Sequence, residues 1–206
     1  METFVVRVWL PDRPGALGQV ASRIGAVNGD VVGIDILERG GGSAVDELTV
    51  TLPDASAVDR LVHEIRQVEG VAVEDVRPVP AGRPDGGLAA LSTAAAIVAA
   101  AAPGRLGVVC DGLVELLDAE WAAAISVDAP IALATAGTMP DLEWLVAFLL
   151  GSEHLADDLD YATRDLLWSG LRRSGVVLAT GRPGRVFHAR ERDEFRLLAG
   201  IVDALT

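Results

Sequence analysis

The chain has 206 residues, half of them hydrophobic, enough for one large domain or two small ones with a core that needs no covalent staples. Its formal net charge is −13, with 7 Arg against 13 acids in residues 1–80 and 10 Arg against 17 acids in residues 81–206, so neither half offers the broad positive field of a nucleic-acid binder. Lysine is absent, which removes lysine Schiff-base and general-base chemistry, and the single cysteine, Cys110, cannot close an internal disulfide.

The N-terminus enters a strand pattern at once, with an acid at Glu2, unlike a signal peptide. The longest low-polarity stretch, Leu88 to Ala102, is shorter than the roughly 20 residues a membrane-spanning helix needs. With the lone cysteine, these features set the expectation of a cytoplasmic protein with no membrane or nucleic-acid partner.

Thr3 to Leu10 alternates, with Phe4, Val6, Val8 and Leu10 on one face and Val5, Arg7 and Trp9 on the other, the period-two mark of a strand. The second face is mixed, as a surface that packs on a partner often is. Pro11 ends the run, and the turn Asp12-Arg13-Pro14-Gly15 leads into a helix whose stripe is Leu17, Val20, Ala21 and Ile24. Asn28-Gly29 ends that helix. Val32, Ile34 and Ile36 mark a second strand. Gly40 to Ser43 is a connector that reads as long for a tight turn, and Leu48, Val50 and Leu52 mark a third strand. Ser56 is the expected cap of a second helix with the stripe Val58, Leu61, Val62, Ile65 and Val68. Gly70 closes it, and Val71 to Arg77 is a last strand.

The β-α-β-β-α-β order predicts a ferredoxin-like fold, two helices on one face of a four-stranded antiparallel sheet. Over residues 2–79 the sequence resembles the ACT domain, the amino-acid-sensing module of many metabolic regulators. The resemblance rests on the strand ending at Leu10, the Asp12–Gly15 turn, the helix from Leu17, and Asn28-Gly29-Asp30 leading into the second strand. It implies an amino-acid ligand held by Asp12, Arg13, Pro14, Gly15, Ala16 and Leu17. It also implies a homodimer in which Asn28, Asp30 and Val31 of a second copy face that turn. Gly15 lets the backbone approach a ligand, and free N–H groups at the helix start suit a carboxylate. Many family members carry Asn or a similar neutral side chain where this chain has Asp12 and Asp30. Two acids favour a ligand ammonium and repel a carboxylate. A purely structural reading stands beside this one: Pro14-Gly15 shapes a strand-to-helix turn and Asp12 caps the helix.

Pro78, Pro80, Gly82, Pro84, Gly86 and Gly87 form a linker composition, so the expected domains are 1–79 and 88–206, joined by 80–87. The second half reads as an alanine-rich helix to Ala102, a helix over Leu106 to Leu117, strands at Trp121 to Val127 and Ile131 to Thr135, and a helix from Pro140 to Leu150. Strands at Leu166 to Leu171 and Val176 to Thr180 and a final helix through Leu205 complete it. This α+β order resembles a reduced GAF-like sensor domain. The resemblance rests on Leu116 to Trp121 entering the first strand, and on Gly175 to Gly184 followed by Phe187 and Glu191.

Little else points to chemistry. His63, His154 and His188 lack metal-pair spacing, and no phosphate loop, nucleophile elbow or cofactor motif appears. His63 reads as a surface residue, and His188 as one that orders the turn before the last helix. Cys110 reads as a small buried hydrophobe, the run Asp157, Asp158 and Asp160 as a solvated loop, Arg172-Arg173 as a solvated turn, and Trp121, Trp144 and Trp168 as core or pocket walls. The expectation is a non-catalytic regulatory protein that binds an amino acid or related metabolite. The alternatives are a small enzyme regulated by the first domain and an interaction protein with a vestigial ligand turn.

Overall fold

The computed structural model describes residues 1–152 and 164–206. The chain divides into two compact units, Met1–Gly86 and Gly87–Thr206.

The first unit runs β1 (Glu2–Pro11), α1 (Ala16–Ala26), β2 (Asp30–Gly40), β3 (Ser43–Leu52), α2 (Val58–Ile65) and β4 (Ala72–Val79), the predicted ferredoxin-like order. Its antiparallel sheet has the order β2-β3-β1-β4. The alternation in β1 sends Phe4, Val6, Val8 and Leu10 into one core with Leu48, Val50 and Leu52 of β3, Val20 and Ile24 of α1, and Leu61 and Ile65 of α2. Asn28, at φ 59°, turns the chain out of α1. Two local expectations change. The connector between β2 and β3 is a tight two-residue turn, because Gly41 and Gly42 hold φ of 60° and 82°, the paired positive angles that suit the twist of a hairpin. Asp54, not Ser56, caps the second helical segment, its Oδ1 accepting from the Ser56 N–H at 2.9 Å.

The opposite face of this sheet carries charge. Glu47 of β3 accepts from Arg7 Nη2 at 2.7 Å and from Nε at 3.2 Å, and from Arg77 Nη2 at 3.2 Å. Segment 80–86 folds back over this face: Arg83 Nη1 lies 3.4 Å from Glu47, and the Gly86 N–H donates to Asp35 at 3.4 Å. Val5, Arg7 and Glu47 are buried, while Trp9 remains partly exposed and donates from Nε1 to Glu74.

The second unit runs α3 (Gly86–Ala99), α4 (Arg105–Leu117), β5 (Trp121–Ser126), β6 (Ile131–Gly137), α5 (Leu142–Gly151), β7 (Leu166–Leu171), β8 (Val176–Gly181) and α6 (Ala189–Leu205), with α3 starting inside the segment read as linker. Its antiparallel sheet has the order β6-β5-β8-β7. Strand β5 is buried on both faces. Ala122 and Ala124 pack with Ile97, Leu113, Leu117, Phe195 and Val202 from α3, α4 and α6, and Trp121, Ala123 and Ile125 pack with Leu145 and Leu149 of α5. Alanines in this strand let helices approach both sides closely. Asp141 caps α5 by accepting from the Trp144 N–H.

Trp121 is a core residue, but Trp144 lies on the surface, stacked on Phe148 at 5.7 Å, which corrects its expected place as a core or pocket wall. His63 is exposed and His188 is buried at the start of α6. Arg172 and Arg173 are exposed in the turn between β7 and β8. Cys110 is buried, and burial, with Asp111 adding, pushes its thiol up to about 12, leaving an inert apolar side chain at neutral pH. His154 and the acidic run Asp157, Asp158 and Asp160 lie outside the described residues.

Candidate ligand-binding turn

The antiparallel register of β1 and β3 ends at Pro11 opposite Ser43, and the Asp12 N–H donates to the Gly42 carbonyl at 3.0 Å. This bond ties the turn to the tip of the β2–β3 hairpin. Asp12, Arg13, Pro14 and Gly15 all lie exposed at this end of the sheet, while Ala16 is buried beneath them and Leu17 leans on the core. Gly15 is the residue before α1, with φ 85° and ψ −10°, a left-handed conformation that favours glycine. No side chain caps α1, so Asp12 does not do so.

The start of α1 has donors to spare. The Ala16 N–H bonds the Arg13 carbonyl at 3.3 Å, and the helical ladder begins with the Gln19 N–H on the Gly15 carbonyl at 3.0 Å. Among the described residues, the N–H groups of Leu17 and Gly18 have no acceptor. The free donors at the helix start are therefore those of Leu17 and Gly18. They sit where the helix dipole is positive, and a carboxylate fits them.

The remaining site residues sit elsewhere in the same chain. Asp30 pairs with Thr51, at the end of the sheet opposite the Asp12 turn. The eight steps along the strand from Ser43 to Thr51 span roughly 27 Å at about 3.4 Å per residue. Asn28 is exposed beside Asp30, and Val31 packs against the core. Within one chain, then, Asn28, Asp30 and Val31 do not meet the turn.

One residue near the turn is not among those the sequence pattern points to. Asp46 of β3 is 3% exposed, and its Oδ1 has no hydrogen-bond partner. Burial raises its carboxyl above the ordinary value, Arg39 opposes that rise, and Asp12 adds to it. The register puts Asp46 opposite Val8 of β1 and Ile36 of β2, on the helix-bearing face, and Arg39 opposite Ala44 on the same face. The signal in the sequence was an acid at an inward position of the run Ala44, Asp46, Leu48, Val50, Leu52.

The fold and this turn define a ferredoxin-like module with an open helix start beside a strand-to-helix turn. Residues 4–70 match the family model of the ACT domain. This segment is an ACT domain, a regulatory small-ligand-binding module. No curated protein matches the chain. Similar solved structures include the ACT domain of the GTP pyrophosphokinase of Chlorobium tepidum, 18% identical, covering 38% of this chain and 97% of that one, with a TM-score of 0.31. The C-terminal domain of the MgtC protein from Mycobacterium tuberculosis is 17% identical, covering 41% of this chain and 95% of that one, with a TM-score of 0.33. An unknown protein from Galdieria sulphuraria is 14% identical, covering 99% of this chain and 89% of that one, with a TM-score of 0.36. At these identities no ligand or activity passes from them to this chain.

Proposed function

We propose that the protein is a non-catalytic regulator that senses an amino acid or a closely related metabolite at the Asp12–Gly15 turn. The observation that carries this reading is the pair of unpartnered N–H groups at Leu17 and Gly18 behind a left-handed Gly15, with Asp12 exposed beside them. The donors take the ligand carboxylate and Asp12 takes the ammonium. The second unit is read as a GAF-like domain, supported by its α-α-β-β-α-β-β-α order; the ligand-dependent signal passes from the first unit to whatever the second engages.

A homodimer along β2 completes the site. β2 is an edge strand of eleven residues with Val32, Ile34 and Ile36 exposed, an open apolar edge of the kind that invites another strand. Antiparallel pairing of two β2 strands about Asp35 sets Asp30 of one copy opposite Gly40 of the other. Gly40 adjoins the hairpin tip that holds Asp12, so Asp30 and Val31 arrive at the turn from the second copy. Ligand binding across that boundary shifts the relative orientation of the copies through its differential affinity for the two arrangements. Light scattering over a concentration series is expected to reach twice the 21.5 kDa chain mass. A single-chain mass at every concentration, with and without ligand, overturns the dimer.

The direct test is a thermal-shift screen of the whole chain against the twenty amino acids and common nucleotides. A ligand at about 100 times its dissociation constant adds roughly 2.7 kcal/mol, a clear rise in melting temperature. Gly15→Asp is expected to abolish the response. A Cβ at Gly15 meets nothing within 4 Å, so the variant folds at the cost of about 1–2 kcal/mol for its left-handed backbone, and its carboxylate repels that of the ligand. A response that survives Gly15→Asp moves the site to the second unit. No response at millimolar concentrations favours an interaction protein with a vestigial turn.

A further inference from the structure

We propose that Asp46 is the buried acceptor for the ligand's ammonium group, and that it makes the site selective for free α-amino acids over analogues that lack the charged amine. This inference rests on the reading of the Asp12–Gly15 turn as a ligand site.

The argument begins with what a carboxylate needs. An acid removed from water is kept by hydrogen bonds or by a counter-charge, and a buried polar atom with neither is a cost that calls for a reason. Asp46 Oδ1 has no hydrogen-bond partner among the described residues. Arg39 faces the same side of the sheet one rung away and moderates the field, but no ion pair joins the two. The strand itself supplies no structural reason for an acid here. The other inward residues of β3 are Ala44, Leu48, Val50 and Leu52, all buried among apolar neighbours, and an apolar residue at position 46 would continue that row.

Position supplies the reason. Asp46 is the next inward residue after Ala44, whose partner Leu10 is the last inward residue of β1 before the turn. It therefore lies about 7 Å along the strand from the rung that opens into Pro11 and Asp12, given about 3.4 Å per residue. α1 starts from the same end of the sheet, with Ala16 buried against the core. On the other side Asp46 faces Ile36 of β2, which is exposed, so the carboxylate lies beneath the margin between the helix layer and the open edge strand. Asp12 is near enough to raise the proton affinity of Asp46. Two acids that repel each other when the site is vacant become a pair of acceptors once a cation lies between them. The Leu17 and Gly18 N–H groups at the helix start then hold the opposite end of a zwitterion.

The structure thus reconciles the acidic turn with a carboxylate-bearing ligand: the acids serve the ammonium, and the helix N-terminus serves the carboxylate. A 2-hydroxy acid or an N-acetyl amino acid keeps the carboxylate contact and loses the charged partner for Asp46. A site built around a buried acid rejects such analogues strongly, because binding them leaves that acid unpaired.

The test uses the whole chain and calorimetric titration. Each L-amino acid that raises the melting temperature is titrated beside its 2-hydroxy-acid counterpart and its N-acetyl derivative, against wild type and Asp46→Asn. In wild type the two analogues are expected to bind at least tenfold more weakly than the amino acid. Asp46→Asn is expected to melt at or above the wild-type temperature without ligand, to bind the amino acid at least tenfold more weakly, and to lose most of the discrimination. The wild-type comparison needs no variant, so equal binding of amino acid and hydroxy acid overturns the proposal even if Asp46→Asn does not fold. Unchanged affinity in a folded Asp46→Asn overturns it alone and leaves the turn as a ligand site. A ligand-free Asp46→Asn that melts well below wild type gives the carboxylate a structural partner and also overturns it. A wild type that responds to no amino acid removes the reading of the turn, and this inference with it.

Discussion

Replacing Arg182 by Met is expected to destabilise the second unit by about 3–5 kcal/mol, the usual cost of removing one member of a buried ion pair. Arg182 is fully buried between β8 and α6. Its Nη1 donates to the Leu117 carbonyl at 2.6 Å and lies 2.7 Å from Glu191 Oε1. Its Nη2 donates to Glu191 Oε2 at 2.7 Å and to the Val186 carbonyl at 2.5 Å, and its Nε to the Arg185 carbonyl at 3.2 Å. The guanidinium also lies 4.0 Å from the centre of the Phe187 ring. Glu191 in turn accepts from the His188 N–H at 2.7 Å, so one arginine holds together the end of α4, the turn after β8 and the first turn of α6. Removing it takes the guanidinium from the buried Glu191 carboxylate and a donor from the Leu117, Val186 and Arg185 carbonyls. Arg182→Lys keeps the charge but not the planar fork, and should recover only part of the loss. Arg182→Met combined with Glu191→Leu should recover more, because no buried charge is then left alone. Urea unfolding followed by circular dichroism measures all three, and a loss below about 1 kcal/mol for Arg182→Met would show that the cluster is not what orders this corner.

The second large effect is expected at Glu47. Its carboxyl is pushed up by burial, but the guanidinium groups of Arg77 and Arg7, the Arg7 hydrogen bond, and Arg83 outweigh that burial and hold it at about 2, against an ordinary value of 4.5. The folded state therefore keeps Glu47 ionised where the unfolded chain protonates it. The resulting stabilisation is complete above about pH 4.5 and is lost as the pH falls through about 2. At about 1.4 kcal/mol per pKa unit it amounts to roughly 3 kcal/mol. Glu47→Gln should lose a similar amount at pH 7, because Arg7, only 2% exposed, then loses its carboxylate contact at 2.7 Å and keeps Glu74 at the longer distance of 3.8 Å. It should also flatten the fall in stability between pH 5 and pH 2. Parallel pH profiles for wild type and variant would dismiss the assignment.

Much of the first unit was legible because period-two and helical patterns are local. Phe4 to Leu10 and the stripe from Leu61 to Ile65 point inward where the alternation says they should. The hairpin between β2 and β3 is tighter than the sequence pattern suggests, because the apolar alternation stops before the strands do. The polar Glu38 and Arg39 continue β2 as ladder residues, which shortens the connector to Gly41-Gly42. Trp144 departs from its expected place for a related reason: its helix is apolar nearly all round, so composition does not say which side meets the sheet.

The site divides in the same way. The turn at Asp12–Gly15 was readable because proline and glycine mark backbone conformations directly. Asp46 and Glu47 were not, since each looks like an ordinary acid in a strand until the strands beside it are known.

The sequence by itself determined the order of elements, the inward faces of the first unit, the Asp12–Gly15 turn and its family, because each depends on residues within a turn or two of one another. Tertiary structure alone decided that Asp30 lies at the far end of the sheet from Asp12, that the buried Asp46 Oδ1 has no hydrogen-bond partner among the described residues, and that Glu47 and Arg182 anchor charged clusters. Those facts depend on register and on which distant segment covers each face. No local pattern encodes them, because the energy of a buried charge is set by groups that only the folded chain brings within a few ångströms.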